Sequence, residues 1–295
     1  FTGPWELLTE APGWDARFDH TSVVLPDGTI VQMSGFDGNI LRNEVWQSKD
    51  GGAHWNQVTT YGPIWTPRYY HTSVVLPDGT IVLMGGKADE GFKNDVWQSK
   101  DGGAHWNQVT TAAAWDPRCG HSSVVLPNGT IVLMGGLVSN AIKNDVWHSA
   151  DGGAHWTQVA TTDPIWSPRG LHTSDVLPDG TIVLMGGIDN FGYTNGIWQS
   201  PDGGSTWTQV TTSGPIWSDR WGQTSDVLPD GTIVLMGGYD GSYRNDVWQS
   251  KDGGAHWNQV TTYGPIWTTR NYHSSVVMPD GTIVLMGGYD GSYRN

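Results

Sequence analysis

Cysteine is almost missing: Cys119 is the only one in 295 residues, so no disulfide can form within the chain. Lysine is scarce too, with six residues, and the formal net charge is −14. That balance leaves no basic footprint for a nucleic acid or an anionic membrane surface. No apolar run approaches the roughly 18 residues that span a bilayer as a helix, and no segment keeps a helical period. Glutamate occurs only at Glu6, Glu10, Glu44 and Glu90, which leaves little material for carboxylate catalysis. The composition implies no cofactor and no metal.

What the chain does have is glycine and tryptophan, 41 and 18 residues, the makings of many turns and of large flat packing groups. It also repeats. Gly-Thr-Ile recurs at Gly28, Gly79, Gly129, Gly180, Gly231 and Gly281, a period of about 50 residues. A longer unit, NDVWQSKDGGAHW at residues 245–257, returns at 43–55, 94–106, 144–156 and, altered, 195–207. Periods of this size point to sheet-building modules rather than helical solenoids.

One copy predicts four strands. Residues 71–76 form the first and end in the turn Pro77-Asp78-Gly79. Residues 80–84 form the second, apolar without alternation, as a strand covered on both faces should be. After Gly85-Gly86 and a variable loop come strands at 95–99 and 104–110, separated by an acidic Gly-rich turn. Asn128-Gly129-Thr130, formally a glycosylation sequon, replaces the Asp-Gly-Thr of other copies and reads as a turn variant.

The Gly-Gly pair, the variable loop and the later Trp resemble kelch repeats. The turn Ser99-Lys100-Asp101-Gly102-Gly103-Ala104-His105-Trp106 resembles the Asp-box of sialidases and related propellers, and five copies match it. Both resemblances imply an all-β fold, a six-bladed β-propeller of four-stranded antiparallel blades. Residues 5–9 align with 106–110, so the closing blade is split between the termini. The expected division is a fourth strand at 1–13, blades at 14–61, 65–111, 115–162, 166–213 and 217–263, and two closing strands at 267–295. That closing blade lacks its third strand. A longer chain, a strand from another chain, or a tolerated gap would each account for it.

Function should sit where copies differ. The Pro-Asp-Gly turns and Asp-boxes fall on one, nearly constant, face; the variable loops fall on the other. The two residues before each repeated His also vary: Phe18-Asp19, Tyr69-Tyr70, Cys119-Gly120, Gly170-Leu171, Trp221-Gly222 and Asn271-Tyr272. They are expected to ring the channel mouth, with Trp221, Tyr69, Tyr70 and Tyr272 offering stacking surfaces. Arg17, Arg68, Arg118, Arg169, Arg220 and Arg270 recur once per copy. They are candidate anion ligands, and equally candidates for holding blades together through Asp95, Asp145 and Asp246. The repeated His20, His71, His121, His172 and His273 are spread too widely for a metal and read as interblade contacts.

A sialidase would need three Arg converging on one carboxylate, whereas these are distributed evenly. Asp19, Asp175 and Asp226 are the acids open to a glycosidase, the last two replacing Val in a first strand. Cys119, Tyr69 and His121 superficially resemble the residue types of kelch-type copper oxidases, without supporting spacing. The chain begins at Phe1, which suggests a processed end. The expected function is therefore a non-catalytic secreted or cell-surface module for binding or assembly. Its partner is another protein or copies of itself, with a glycan as the alternative and a sialidase-type hydrolase as the second.

Overall fold

The computed structural model describes residues 4–262 and 266–295. Residues 1–3 of the expected fourth strand of the closing blade and residue 263, the expected end of the fifth blade, lie outside them. Among the described residues every regular element is a strand, and every strand pairing is antiparallel. Five four-stranded sheets follow one another along the chain. Their innermost strands are Thr21–Val24, Thr72–Val75, Ser122–Val125, Thr173–Val176 and Thr224–Val227. A sixth sheet has two strands, Ser274–Val277 and Ile283–Met286.

The apolar second strands explain the layering. Ile81–Met84 and Ile182–Met185 have all four residues completely or almost completely buried. Successive side chains of a strand point to opposite faces, so each second strand feeds two layers. Val31 and Met33 meet Ile81 and Leu83 in one cluster. Val82 and Met84 meet Ile131 and Leu133 in the next. The series runs on until Val284 and Met286 meet Ile30, back at the start of the chain. Each fully buried aliphatic side chain stabilises by about 1.5–3 kcal/mol relative to exposure. An alternating strand would leave one of these layers polar.

The innermost strands touch in the same order, each against the next, and Ser274–Val277 lies against Thr21–Val24. Six edge-to-face tryptophan pairs mark the outer layer. Trp65 meets Trp106 at 4.4 Å and Trp217 meets Trp257 at 6.0 Å, for example. The sixth pair joins the two ends of the chain: Trp5 meets Trp267 at 6.1 Å.

Residues 5–9 were expected to form a strand and do not. The physical reason is local. Elsewhere the fourth strand hydrogen-bonds to a third strand, as Asn258–Gln259 does to Tyr243–Ser250. Among the described residues no third strand stands between residues 5–9 and Ile283–Met286. Trp5 keeps its packing position, whereas Leu7 and Leu8 stay exposed, at 67% and 43%.

Candidate functional site

The two faces are built differently. On the constant face the acidic turns are closed by their own side chains. Ser99 Oγ donates to Asp101 Oδ1 at 2.9 Å and accepts from Gly103 N at 2.8 Å. His105 N donates to the same Oδ1, His105 Nδ1 lies 2.6 Å from Asp101 Oδ2, and Trp106 Nε1 donates to Gly103 O. Where Thr206 replaces His, its hydroxyl donates to Asp202 Oδ2 at 2.7 Å, keeping the pattern. Four of the five turns are also tied to the preceding sheet, as by Gln47 Nε2 to Gly102 O at 2.6 Å. Asn128 Oδ1 accepts from Thr130 N, just as Asp78 Oδ1 does from Thr80 N, so the sequon is a turn of the same kind. With its polar groups satisfied internally, this face offers few free groups for a ligand.

The variable face surrounds a cavity of about 140 Å³ to which all six copies contribute. Sequence reasoning placed both residues of each variable pair at this mouth; the structure brings only the second. Asp19, Tyr70, Gly120, Leu171, Gly222 and Tyr272 line the cavity. All six have φ between 53° and 65°, a left-handed conformation that costs a non-glycine residue energy. The conformation points their amides along the mouth, in five successive links. Tyr272 N donates to Gly222 O, Gly222 N to Leu171 O, Leu171 N to Gly120 O and Gly120 N to Tyr70 O, and Asp19 N donates to Tyr272 O at 3.1 Å.

The first residue of each pair turns outward and bridges to the residue after the glycine pair. Phe18 pairs with Phe36, Tyr69 with Lys87, Cys119 with Leu137, Trp221 with Tyr239 and Asn271 with Tyr289. Gly170 pairs with Ile188. Cys119 and Asn271 are buried, at 3% and 2% exposed, so neither presents a side chain to the mouth. Burial pushes the Cys119 thiol up to about 12, which leaves it unreactive. The second glycine is required for this close approach: a Cβ on Gly86 would lie 3.0 Å from Tyr69 O.

The arginines are structural. Arg68 and Arg118 are completely buried, and each makes a forked contact to one carboxylate, Asp95 at 2.6 and 2.9 Å and Asp145 at 2.6 and 2.8 Å. Arg220 does the same with Asp246, and Arg17 with Glu44 through a single 2.8 Å contact. Each also donates to the main-chain carbonyl just after a second-strand Met, as Arg118 does to Gly135 O. Among the described residues Arg169 and Arg270 have no carboxylate within ion-pair distance. They donate to Gly186 O and Ser167 Oγ, and to Gly287 O and Thr268 Oγ1. Burial without a paired acid lowers both guanidiniums to about 10. Locked between sheets, the six arginines do not form the anion site that was one of their two expected roles.

The histidines line the cavity floor, a placement the sequence did not suggest. His20, His71, His121, His172 and His273, with Gln223 in the remaining position, sit beneath the mouth residues. Their Nε2 atoms are hydrogen-bonded to hydroxyls of the neighbouring inner strand: His71 to Thr21, His121 to Thr72, His172 to Ser122, His273 to Thr224 and His20 to Ser274 at 2.7–3.0 Å. Burial holds His20, His121, His172 and His273 neutral, down at about 3, and His71 well below its usual range. Among the described residues, no three His, Cys, Asp or Glu side chains converge as metal ligands would.

Of the three acids considered for glycoside chemistry, only Asp19 reaches the cavity. Burial raises its carboxyl well above the ordinary range, with the Tyr70 hydroxyl acting the other way. Asp175 and Asp226 lie between inner strands. Asp175 Oδ2 accepts from Ser225 at 2.5 Å, and burial raises the two acids to about 7 and about 6.

Around the mouth the sheets differ in kind. Phe18 stacks on Tyr272 at 5.4 Å and on Tyr293 at 5.6 Å. Tyr272 meets Tyr70 at 5.3 Å and Trp221 at 5.0 Å, and Trp221 meets Tyr239 at 5.6 Å. The first, second, fifth and sixth sheets thus share one aromatic network. The fourth adds Tyr193, 6.1 Å from Trp221 and 6.2 Å from Tyr239, beside Leu171 and Ile188, and the third presents Leu137 instead.

A family model described as the KLHDC2/KLHL20/DRC7 Kelch-repeats domain matches residues 4–187 and again residues 105–288. The chain belongs to the Kelch-repeat family. The two matches begin about two repeats apart, as a near-identical array should produce, and together they span almost the whole chain. This kelch chain matches no curated protein. Among its described residues, no helix is long and apolar enough to cross a membrane.

Proposed function

We propose that this kelch chain is a six-bladed propeller that binds another protein through its variable face, without catalysis. The cyclic contacts of the inner strands, the Asp19 N to Tyr272 O link at the mouth and the Trp5–Trp267 pair support a ring closed between the two ends of the chain. The observation that carries the binding role is the aromatic network around Tyr272. Rigid, partly exposed Tyr and Trp anchors on a fixed scaffold are what protein interfaces use. The acidic turns of the opposite face keep their resemblance to Asp-boxes and act as structural clasps. Secretion or surface display fits the acidic composition and remains part of this reading.

The test is selection of binding peptides from a random display library against the purified chain. Peptides that compete with one another and lose at least ~10-fold affinity to Trp221→Ala support the face as the site. Equal binding to wild type and Trp221→Ala would remove it. A glycan array serves the lectin alternative, which has only the same aromatics in its favour.

A second reading concerns assembly. The sixth sheet has two strands where the other five have four, and the outer edge of its second strand has no partner strand among the described residues. An unpaired sheet edge is a template for an added strand, so this edge is the natural place for association with other copies or other chains.

A further inference from the structure

We infer that the mouth of the cavity takes the ammonium group of a lysine side chain carried by the bound protein, with Asp19 as its counter-ion and Tyr70 and Tyr272 beside it. This rests on the binding reading above and names the chemistry of one anchor of the partner.

The mouth is polarised. Of its six left-handed positions, three carry side chains that attract a cation, and the three are neighbours. Asp19 N donates to Tyr272 O at 3.1 Å, and the Tyr70 and Tyr272 rings lie 5.3 Å apart, edge to face. One carboxyl group beside two aromatic rings is the setting that binds an ammonium, by charge and by the negative faces of the rings. The other three positions are Gly120, Leu171 and Gly222. Leu171 offers an apolar wall for the methylene stem of a lysine. A Cβ on Gly222 would lie 3.3 Å from Cδ1 of Tyr272, so glycine there leaves that ring uncovered on one side.

The charge at this mouth is unbalanced. Among the described residues Asp19 is the only acid lining the cavity, and no Lys or Arg lines it. Its Oδ2 is buried and accepts no hydrogen bond from them. Asp95, Asp145 and Asp246, in contrast, are each gripped by a buried arginine. The floor does not compensate either, because its histidines are held neutral. A buried acid without a cation is a cost to the fold, and a cation from outside removes it. One unpartnered oxygen suits a compact ammonium, whereas a guanidinium fork uses two.

A pH dependence follows. Burial holds the Asp19 carboxyl well above its ordinary range, so an arriving ammonium displaces a proton and binds more tightly as pH rises. The other titratable groups at the mouth stay fixed between about pH 5 and 9. Tyr70 and Tyr272 are raised, the Cys119 thiol behind them is pushed up to about 12, and the five histidines titrate well below their usual range.

The experiment titrates n-butylammonium chloride, the end of a lysine side chain, into the 295-residue chain and follows tyrosine ring resonances by NMR. Saturable shifts at Tyr70 and Tyr272 are expected, with binding at least about threefold tighter at about pH 8 than at about pH 6. n-Butanol should not produce them. Asp19→Asn keeps the shape and suits the left-handed backbone; it should weaken the ammonium at least about 10-fold and abolish the pH dependence. Should that variant fail to fold, the n-butanol comparison and the pH series on the unaltered chain still decide. Shifts that persist in Asp19→Asn, that n-butanol or sodium chloride reproduces, or that spare Tyr70 and Tyr272 overturn the inference. n-Propylguanidinium binding as tightly overturns the choice of lysine. The library peptides keep the two readings apart. Trp221-dependent peptides that bind equally well with norleucine in place of lysine sink the lysine slot and leave the face standing. Ammonium binding without any Trp221-dependent peptide keeps the slot and removes the face.

Discussion

The fifth and sixth sheets carry nearly the same sequence up to the same point, TIVLMGGYDGSYRN, yet they end in different states. In the fifth, Ile233–Tyr239 pairs with Tyr243–Ser250, Arg220 grips Asp246, and the second-strand residues are sealed. In the sixth, the pairing stops after Ile283–Met286, Arg270 has no acid, and an apolar groove remains. The identical stretch thus holds its position between neighbouring sheets in either setting. Layer packing and the amide links at the mouth are enough to place a sheet; the third strand seals it.

Substitutions at equivalent positions should separate these contributions. The largest effect is expected at Trp217, fully buried against Trp257. Trp217→Ala should cost about 3–5 kcal/mol in denaturant unfolding. Trp267→Ala, beside the groove, should cost about half as much, because part of that ring is still exposed to water. Equal losses would mean that the groove is closed in solution.

The ion pair comes next. Asp246→Ala strands the buried Arg220 and should cost about 3 kcal/mol, more than any change at the already unpaired Arg169. Conversely, Gly196→Asp supplies the acid that the fourth sheet lacks and should stabilise by about 1 kcal/mol. The backbone allows it, since a Cβ there lies 3.2 Å from Thr194 Oγ1 and 3.7 Å from the guanidinium of Arg169. A loss on Gly196→Asp would show that the pair does not offset its desolvation.

Smaller effects follow from protonation. The buried histidines bind protons less readily folded than unfolded, so their contribution is complete above about pH 6.5 and declines toward about 3. His172→Gln, copying Gln223, should flatten that acid limb of a melting-temperature profile. Asp175 and Asp226 act oppositely. Their carboxyls are raised to about 7 and about 6, so stability is full below about pH 4 and declines as pH rises through those values. Asp175→Val, the residue of four other copies, should remove most of the alkaline-side decline. A profile unchanged by it would mean that the acid is solvated.

Much of this was legible beforehand. The continuous apolar runs announced second strands feeding two layers, and the six-fold Arg with Asp95, Asp145 and Asp246 announced an interior pair. The strand expected at residues 5–9 failed because a strand needs a hydrogen-bonded neighbour, which its own sequence cannot reveal; only Trp5 kept its expected position. At the mouth, adjacent residues of one variable pair point in opposite directions, so Tyr70 reaches the cavity while Tyr69 bridges to Lys87. That separation depends on a left-handed φ at Asp19, Tyr70, Leu171 and Tyr272, residue types that give little sign of it. The histidine floor was hidden for a related reason: a repeated residue signals a shared contact without saying which surface it lines.

The most direct measurement is native-state hydrogen exchange across the second strands. Amides of Ile283–Met286 should exchange well ahead of those of Ile233–Met236 in the same molecule, because one edge of the sixth sheet is open. Equal protection in the two segments would contradict an open sixth sheet.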